Sequence, residues 1–262
     1  MLWLTSAHAE VASEPFASSS QPSKPTLVGN PNNAINECEL NILNQLDGVT
    51  FKYNATVNSV SVKSERTINS LENDAWEMQS RANWLFLGIE EKSVFDLPSW
   101  QLREFEHKRK GMGDGKDLTI KADYQQHTYV SESAKGENTV MFDNELHDAL
   151  NYQLRLQLDV ACNAPQVQEQ GVDYTIAKKR GVKEYHFEIV GNDVIDTDVG
   201  KFEALLIEKR DSEDDRATRV WLAKDLAYSI VKLEHTEDGQ TNSLSISDVP
   251  RLNAIKQDLS ER

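Results

Sequence analysis

The sequence predicts a mainly β protein, an antiparallel meander carrying one central helix. From Val49, and again from Val182, apolar and polar residues alternate with a period of two, as in strands with one buried and one wet face. Turn-forming residues recur about every ten positions, as successive hairpins require. Around Leu146 to Leu158 the apolar spacing changes to i, i+3, i+4, the period of a helix.

In the first strand Val49, Phe51, Tyr53, Ala55 and Val57 share a face, with Thr50, Lys52, Asn54 and Thr56 on the other. Asn58-Ser59 turns into a strand from Val60 to Leu71. Glu72-Asn73-Asp74 then turns into one from Ala75 to Leu87, where Trp76, Met78, Ser80 and Ala82 lie together. Gly88 interrupts the apolar run Trp84-Leu85-Phe86-Leu87 and is expected to bulge or bend the strand. Ile89 to Leu97 and Trp100 to Lys110 pair across Pro98-Ser99. Gly111 to Asp117 is glycine-rich, but it lacks the Gly-x-x-x-x-Gly-Lys-Ser/Thr order and leads into a strand. It reads as a hairpin tip rather than a phosphate loop. His127 to Ser133 and Glu137 to Phe142 follow.

Asp143 can cap a helix over 144–161, which Asn163-Ala164-Pro165 would end. Leu146, Ala149, Leu150, Gln153, Leu154 and Leu158 form its stripe, and the concave face of a sheet is the most economical cover. Leu154, Leu156 and Leu158 also alternate, so a strand stays open there. In the second half Tyr185, Phe187 and Ile189 alternate with Glu184, His186 and Glu188. Turns are expected at Gly191-Asn192-Asp193, Asp198-Val199-Gly200 and Asp211 to Asp215, with strands continuing to Ser247 and a polar tail over 249–262.

At 262 residues the chain can hold one β domain, placed over 34–248. A net charge of −15 disfavours nonspecific binding to nucleic acid or anionic lipid heads. No run of about 18 apolar residues offers a membrane span. Residues 1–9 end in Ala7-His8-Ala9, a small-x-small cleavage form, and read as the remnant of a signal peptide whose positive n-region is missing. Residues 10–33, rich in Ser, Pro, Ala and Asn, read as a disordered leader. The expectation is an exported, soluble, periplasmic protein. Cys38 and Cys162 are its two cysteines. In an oxidising compartment they can pair, closing a loop worth roughly 4–5 kcal/mol; the alternative is two separate thiols.

No catalytic constellation is visible. His107, His127, His147, His186 and His235 have no zinc spacing, and His186 and His235 fall on expected wet faces. There is no Gly-x-Ser-x-Gly elbow, and Asp211 to Asp215 lacks the ligand order of a calcium loop. No catalytic residue, metal or cofactor is therefore expected. Trp76, Trp84, Phe86, Phe95, Trp100 and Phe105 are either core or the lining of a hydrophobic ligand cavity. Trp84, Phe86 and Trp100, taken to flank a bend at Gly88, are the candidate ligand-binding residues.

Lys183-Glu-Tyr-His-Phe-Glu-Ile-Val-Gly191, Thr197-Asp-Val-Gly-Lys-Phe202 and Thr218-Arg-Val-Trp-Leu-Ala-Lys-Asp-Leu-Ala-Tyr228 resemble the bacterial family DUF3108. The likeness covers roughly residues 48–248. Asp198-Val199 departs from the family's Thr-Pro turn, and Ser229-Ile230 stands where a proline is common. The resemblance implies an exported envelope protein with a strongly curved antiparallel sheet, an open half-barrel akin to lipoprotein carriers. It supplies no catalytic residues. The expected function is non-enzymatic binding of a lipid or other hydrophobic, envelope-derived ligand in the curved sheet, with no nucleic-acid partner. The alternative is an interaction module for another envelope protein, without a small ligand.

Overall fold

Alternating burial along the strands builds, among the described residues, one sheet of fifteen strands. The structure is a computed structural model and describes residues 35–248 apart from 112, 114, 144 and 211–215. The expected signal remnant, leader, Asp211–Asp215 turn and polar tail lie outside the described residues. In chain order the first half comprises α1 (Glu37–Leu46), β1 (Val49–Val57), β2 (Val60–Ser70), β3 (Ala75–Trp84), β4 (Leu87–Asp96), β5 (Gln101–Lys110), β6 (Leu118–Asp123), β7 (Thr128–Ser133) and β8 (Gly136–Met141). Then come β9 (Leu146–His147), α2 (Asn151–Gln170), β10 (Val172–Lys178), β11 (Gly181–Thr197), β12 (Gly200–Arg210), β13 (Arg216–Ala223), β14 (Ser229–Glu237) and β15 (Gln240–Asp248).

The strand order is β8-β7-β6-β5-β4-β3-β2-β1-β15-β14-β13-β12-β11-β10-β9. Hairpins therefore make most of the pairings, and β1 with β15 joins the two halves. All pairs are antiparallel except β9 with β10. The sheet is open and strongly curved, and its ends meet through side chains. The Tyr129 hydroxyl on β7 lies 2.7 Å from the Lys178 carbonyl and also reaches that of Gly181, while Ser131 donates to the Lys179 carbonyl at 2.6 Å. The β10–β11 turn is thus held against β7 without a strand ladder.

Helix α2 fills one end of the concave face. Leu154, Leu156, Leu158 and Val160 are buried, and so are Gln153, Gln157 and Asp159, so the first half of the helix has no wet side. Buried polar groups need partners, and the fold supplies them. Gln157 donates to the Ala227 carbonyl at 2.7 Å, Tyr174 donates to Asp159 at 2.8 Å, and Arg155 pairs with Glu39 of α1 at 3.1 Å and with Asp159 at 3.0 Å. Helix α1 starts at a capping box in which Asn36 accepts from Glu39 N at 2.9 Å and Glu39 accepts from Asn36 N. Cys38 of α1 and Cys162 of α2 form a disulfide.

Several expectations change. The helix begins at Asn151, not 144, because Leu146 and His147 pair with β10 and Asp148, rather than Asp143, accepts from Leu150 N and Asn151 N. It also runs to Gln170. Asn163 kinks it at φ −131° and ψ 28°, and Pro165, lacking an N–H to bond, fits just past the kink instead of ending the helix. The expected turn at Gly191 is a bulge between Ile189 and Gly191 inside β11. Past it, β11 and β12 curl over the outer face, bury Ile195 and Phe202, and bring Asp193 to Trp221 Nε1 at 3.2 Å.

The disulfide closes a separation of 124 residues, for which the chain-entropy model gives about 5 kcal/mol. In a Cys38→Ser/Cys162→Ser variant the unfolding free energy from urea titration should be lower by about that much. The native protein should show the same loss on reduction.

Candidate functional site

Strand register places a polar row straight across the concave face. Phe51, Arg66, Ser80, Glu91, His107 and Leu118 stand opposite one another from β1 to β6. The row on the α2 side is Val49, Ile68, Met78, Ser93, Phe105 and Ile120; the row on the other side is Tyr53, Ser64, Ala82, Ile89 and Arg109. Arg66, Ser80, Glu91 and His107 are all buried, with Arg66 only 7% exposed. His107 Nδ1 lies 3.1 Å from Glu91 Oε1. Among the described residues, the buried Arg66 Nε and Arg109 Nε have no acceptor.

Three lysines gather round Tyr185 on β10 to β12. Lys183 pairs with Ile176, Tyr185 with Tyr174, and Lys209 with Phe187, so these side chains share the face that packs on Tyr152 of α2. Lys178 donates to the Tyr185 hydroxyl at 3.0 Å. The Nζ atoms of Lys178, Lys183 and Lys209 lie 5.1, 5.9 and 4.3 Å from the Tyr185 ring centre. Each ammonium is attracted to the face of the ring. Burial, reinforced by Lys183, pushes the Lys178 ammonium down to about 8, with Asp148 and Glu91 pulling it back. Of these two carboxylates Glu91 is on β4, whereas Asp148 follows β9, the partner of β10.

Asp148 joins β4 to the helix. Its Oδ1 accepts from Leu150 N and Asn151 N at 2.6 and 3.0 Å, and Ser93 of β4 donates to its other oxygen. Burial raises its carboxyl to about 6, against those hydrogen bonds and nearby His147.

The chain belongs to the DUF3108 family. That family, described as a protein of unknown function, matches residues 50–244. The curated proteins contain no match to the chain. The fold is similar to that of a β-barrel-like protein of domain of unknown function DUF1849 from Brucella abortus. The TM-score is 0.50 at 9% identity, over 77% of this chain and 95% of that one. The MucA/MucB complex of Pseudomonas aeruginosa aligns with a TM-score of 0.35 at 12% identity, over 80% of this chain and 55% of that one. These likenesses, like the DUF3108 match, carry no ligand or catalytic residue to this chain.

The structure does not bring Trp84, Phe86 and Trp100 together. The β3–β4 turn falls at Leu85-Phe86, with Leu85 at φ 52°, and Gly88 sits in regular pairing opposite Asn83. There is no bend at Gly88 to flank; a Cβ there would meet Asn83 Oδ1 at 2.9 Å. Trp84 shares the concave phase of Ser80 and Ala82 and is 42% exposed at the rim, while Leu85 and Phe86 are 79% and 80% exposed at the tip. Trp100 is at the opposite end, 3% exposed, stacked on Phe95 at 5.2 Å with the Arg155 guanidinium 5.1 Å from its ring centre. Trp76, Phe95 and Phe105 are core as well.

His235, expected on a wet face, is largely buried opposite Thr218, which lies 2.9 Å from its Nδ1. The polar row escaped sequence reading. Its one signal is a charge in the buried phase of a strand, as with Arg66 between Ser64 and Ile68. Among the described residues, no three His, Cys, Asp or Glu side chains gather to hold a metal. A cleft of about 420 Å³ between the outer face of β1–β3 and Asp198 has its charges matched, Lys52 with Asp248 at 2.8 Å and Arg81 with Glu90 at 3.5 Å.

Two stability measurements check this geometry. Trp100→Ala should cost about 3–5 kcal/mol and Trp84→Ala less than about 1, compared by urea unfolding. For Asp148, the folded state keeps its proton up to about pH 6, whereas the unfolded chain releases it near 3.8. The group's contribution to stability therefore falls as pH rises between those values and is flat above them. Asp148→Asn keeps the cap and removes the titration. Its stability relative to the parent should rise from pH 4 to pH 7 by up to about 3 kcal/mol.

Proposed function

We propose that this is a non-catalytic protein of the cell envelope that holds a hydrophobic, envelope-derived molecule on the concave face of its sheet. The observation that carries this is the division of that face. Helix α2 fills one end, and the other ends at Trp84, a large apolar side chain aimed along the concave phase and left half exposed. Leaving apolar surface wet forgoes about 25 cal/mol per Å², which an apolar ligand recovers. The Cys38–Cys162 disulfide supports an oxidising compartment such as the periplasm.

The order of the polar row supports binding over catalysis. Glu91 stands between Ser80 and His107, so the carboxylate rather than the imidazole occupies the centre. A hydrolytic triad needs histidine in that place, between nucleophile and carboxylate. The next residue across from His107 is Leu118, which offers no nucleophile.

A second reading is favoured by the tip itself. Leu85 and Phe86 project beyond the concave face and suit contact with another envelope protein. One experiment separates the two. Protein stripped of lipid by solvent extraction is titrated with a fluorescent fatty-acid probe. Saturable binding, weakened in a folded Trp84→Ala variant and intact in Phe86→Ser, is the expected result. Absence of probe binding would count against the ligand reading and leave the tip as the contact.

A further inference from the structure

The β3–β4 turn is filled differently from other turns of the chain. Those at Asn58-Ser59, Asn73-Asp74 and Asp238-Gly239 place Asn, Ser, Asp or Gly in their left-handed positions, residues that tolerate positive φ and bind water. Leu85 takes that conformation at φ 52°, and Phe86 follows it. Both are exposed, and Trp84 beside them is partly so. Three large apolar residues therefore stand in water at a turn where Asn-Gly would carry less strain. The turn is also braced. At the end of β5, Gly111 has φ 75°, and a Cβ there would come within 2.6 Å of the Phe86 carbonyl oxygen. The glycine lets the β5 exit lie against the turn's backbone while the apolar side chains stay exposed.

Charge is graded along these strands. Behind the tip, the first row across the outer face is Lys63, Asn83, Gly88 and Lys110, with two cations and no carboxylate. The next row is Glu65, Arg81, Glu90 and Lys108, and the far end of the strands carries Glu72, Asp74 and Asp96. Lys110 is exposed with Glu90 at 2.6 Å, and Lys63, also exposed, donates to the Asn54 side chain.

We propose that the β3–β4 tip docks this protein on a phospholipid surface, with Trp84, Leu85 and Phe86 entering the interface and Lys63 and Lys110 reaching the lipid phosphates. A stable protein contact buries about 800 Å² on each side, more than one convex two-residue turn offers. A bilayer interface needs no matching shape. Aromatic rings settle at its headgroup level, and lysines beside them extend their ammonium groups to it. The overall charge of −15 repels anionic headgroups, so the apolar tip supplies more of the attachment than the lysines do. Docking turns the Trp84 end of the concave face toward the lipid, but it does not depend on that face holding a ligand.

The test is flotation of the full chain with vesicles of phosphatidylcholine and phosphatidylglycerol. The parent should float with them. Leu85→Ser/Phe86→Ser should weaken the partition at least about tenfold while keeping the circular dichroism spectrum and the thermal midpoint. Lys63→Gln/Lys110→Gln should weaken it less, about threefold. In vesicles of phosphatidylcholine brominated on its upper acyl carbons, Trp84 should be quenched, since Trp76, Trp100 and Trp221 are buried. Trp84→Phe should remove that quenching and still float. Flotation unchanged by the Leu85 and Phe86 substitutions, or quenching that survives Trp84→Phe, overturns the proposal. Absence of flotation also overturns it and leaves the tip to a protein partner, while fatty-acid probe binding would still uphold the concave-face reading. Flotation lost with the tip, without probe binding, supports docking and sinks that reading.

Discussion

The burial of the first half of helix α2 on every side governs the rest of this molecule. A helix with one apolar stripe can rest on a flat sheet, but Leu154, Leu156, Leu158 and Val160 point in different directions and are all covered. A sheet can surround such a helix only by curling, and the hairpins of β1 to β15 supply the curl. The curled sheet need not close by a ladder. Tyr129 and Ser131 hold its far end by hydroxyl groups, leaving β8 and β9 as edges.

Enclosing the helix also brings polar groups out of water. Arg155, between Glu39 and Asp159, and Gln157, on the Ala227 carbonyl, tie α2 to α1 and to the β13–β14 connection. Buried ion pairs of this kind add little net stability but strongly disfavour other placements of the helix. Asp148 performs the same service at the helix start, linking it to Ser93 on β4. The part of the concave face that α2 leaves uncovered is then defined by exclusion, and the row of Arg66, Glu91 and His107 crosses it.

The strands were legible because period-two alternation is local: each residue's face follows from its neighbours two positions away. Helix limits were less so. Leu146 fits both an apolar stripe and a parallel pairing with β10, and only the partner strand decides. The β3–β4 turn was missed because Leu85-Phe86 contains no turn residue, whereas Gly88 next to it does. The site was hidden for a different reason. Arg66, Glu91 and His107 lie in three strands, and no single stretch shows that register sets them in one row. Trp84 and Trp100 looked alike in sequence, and only the position of α2 makes one a rim residue and the other core.

The central claim is that α2 lies inside the curled sheet, and hydrogen exchange of its backbone amides measures this most directly. Peptides covering 152–160 should exchange only through global unfolding, as slowly as the paired amides of β1 and β2. Exchange of that segment at the rate of an exposed helix, while the sheet stays protected, would contradict the account.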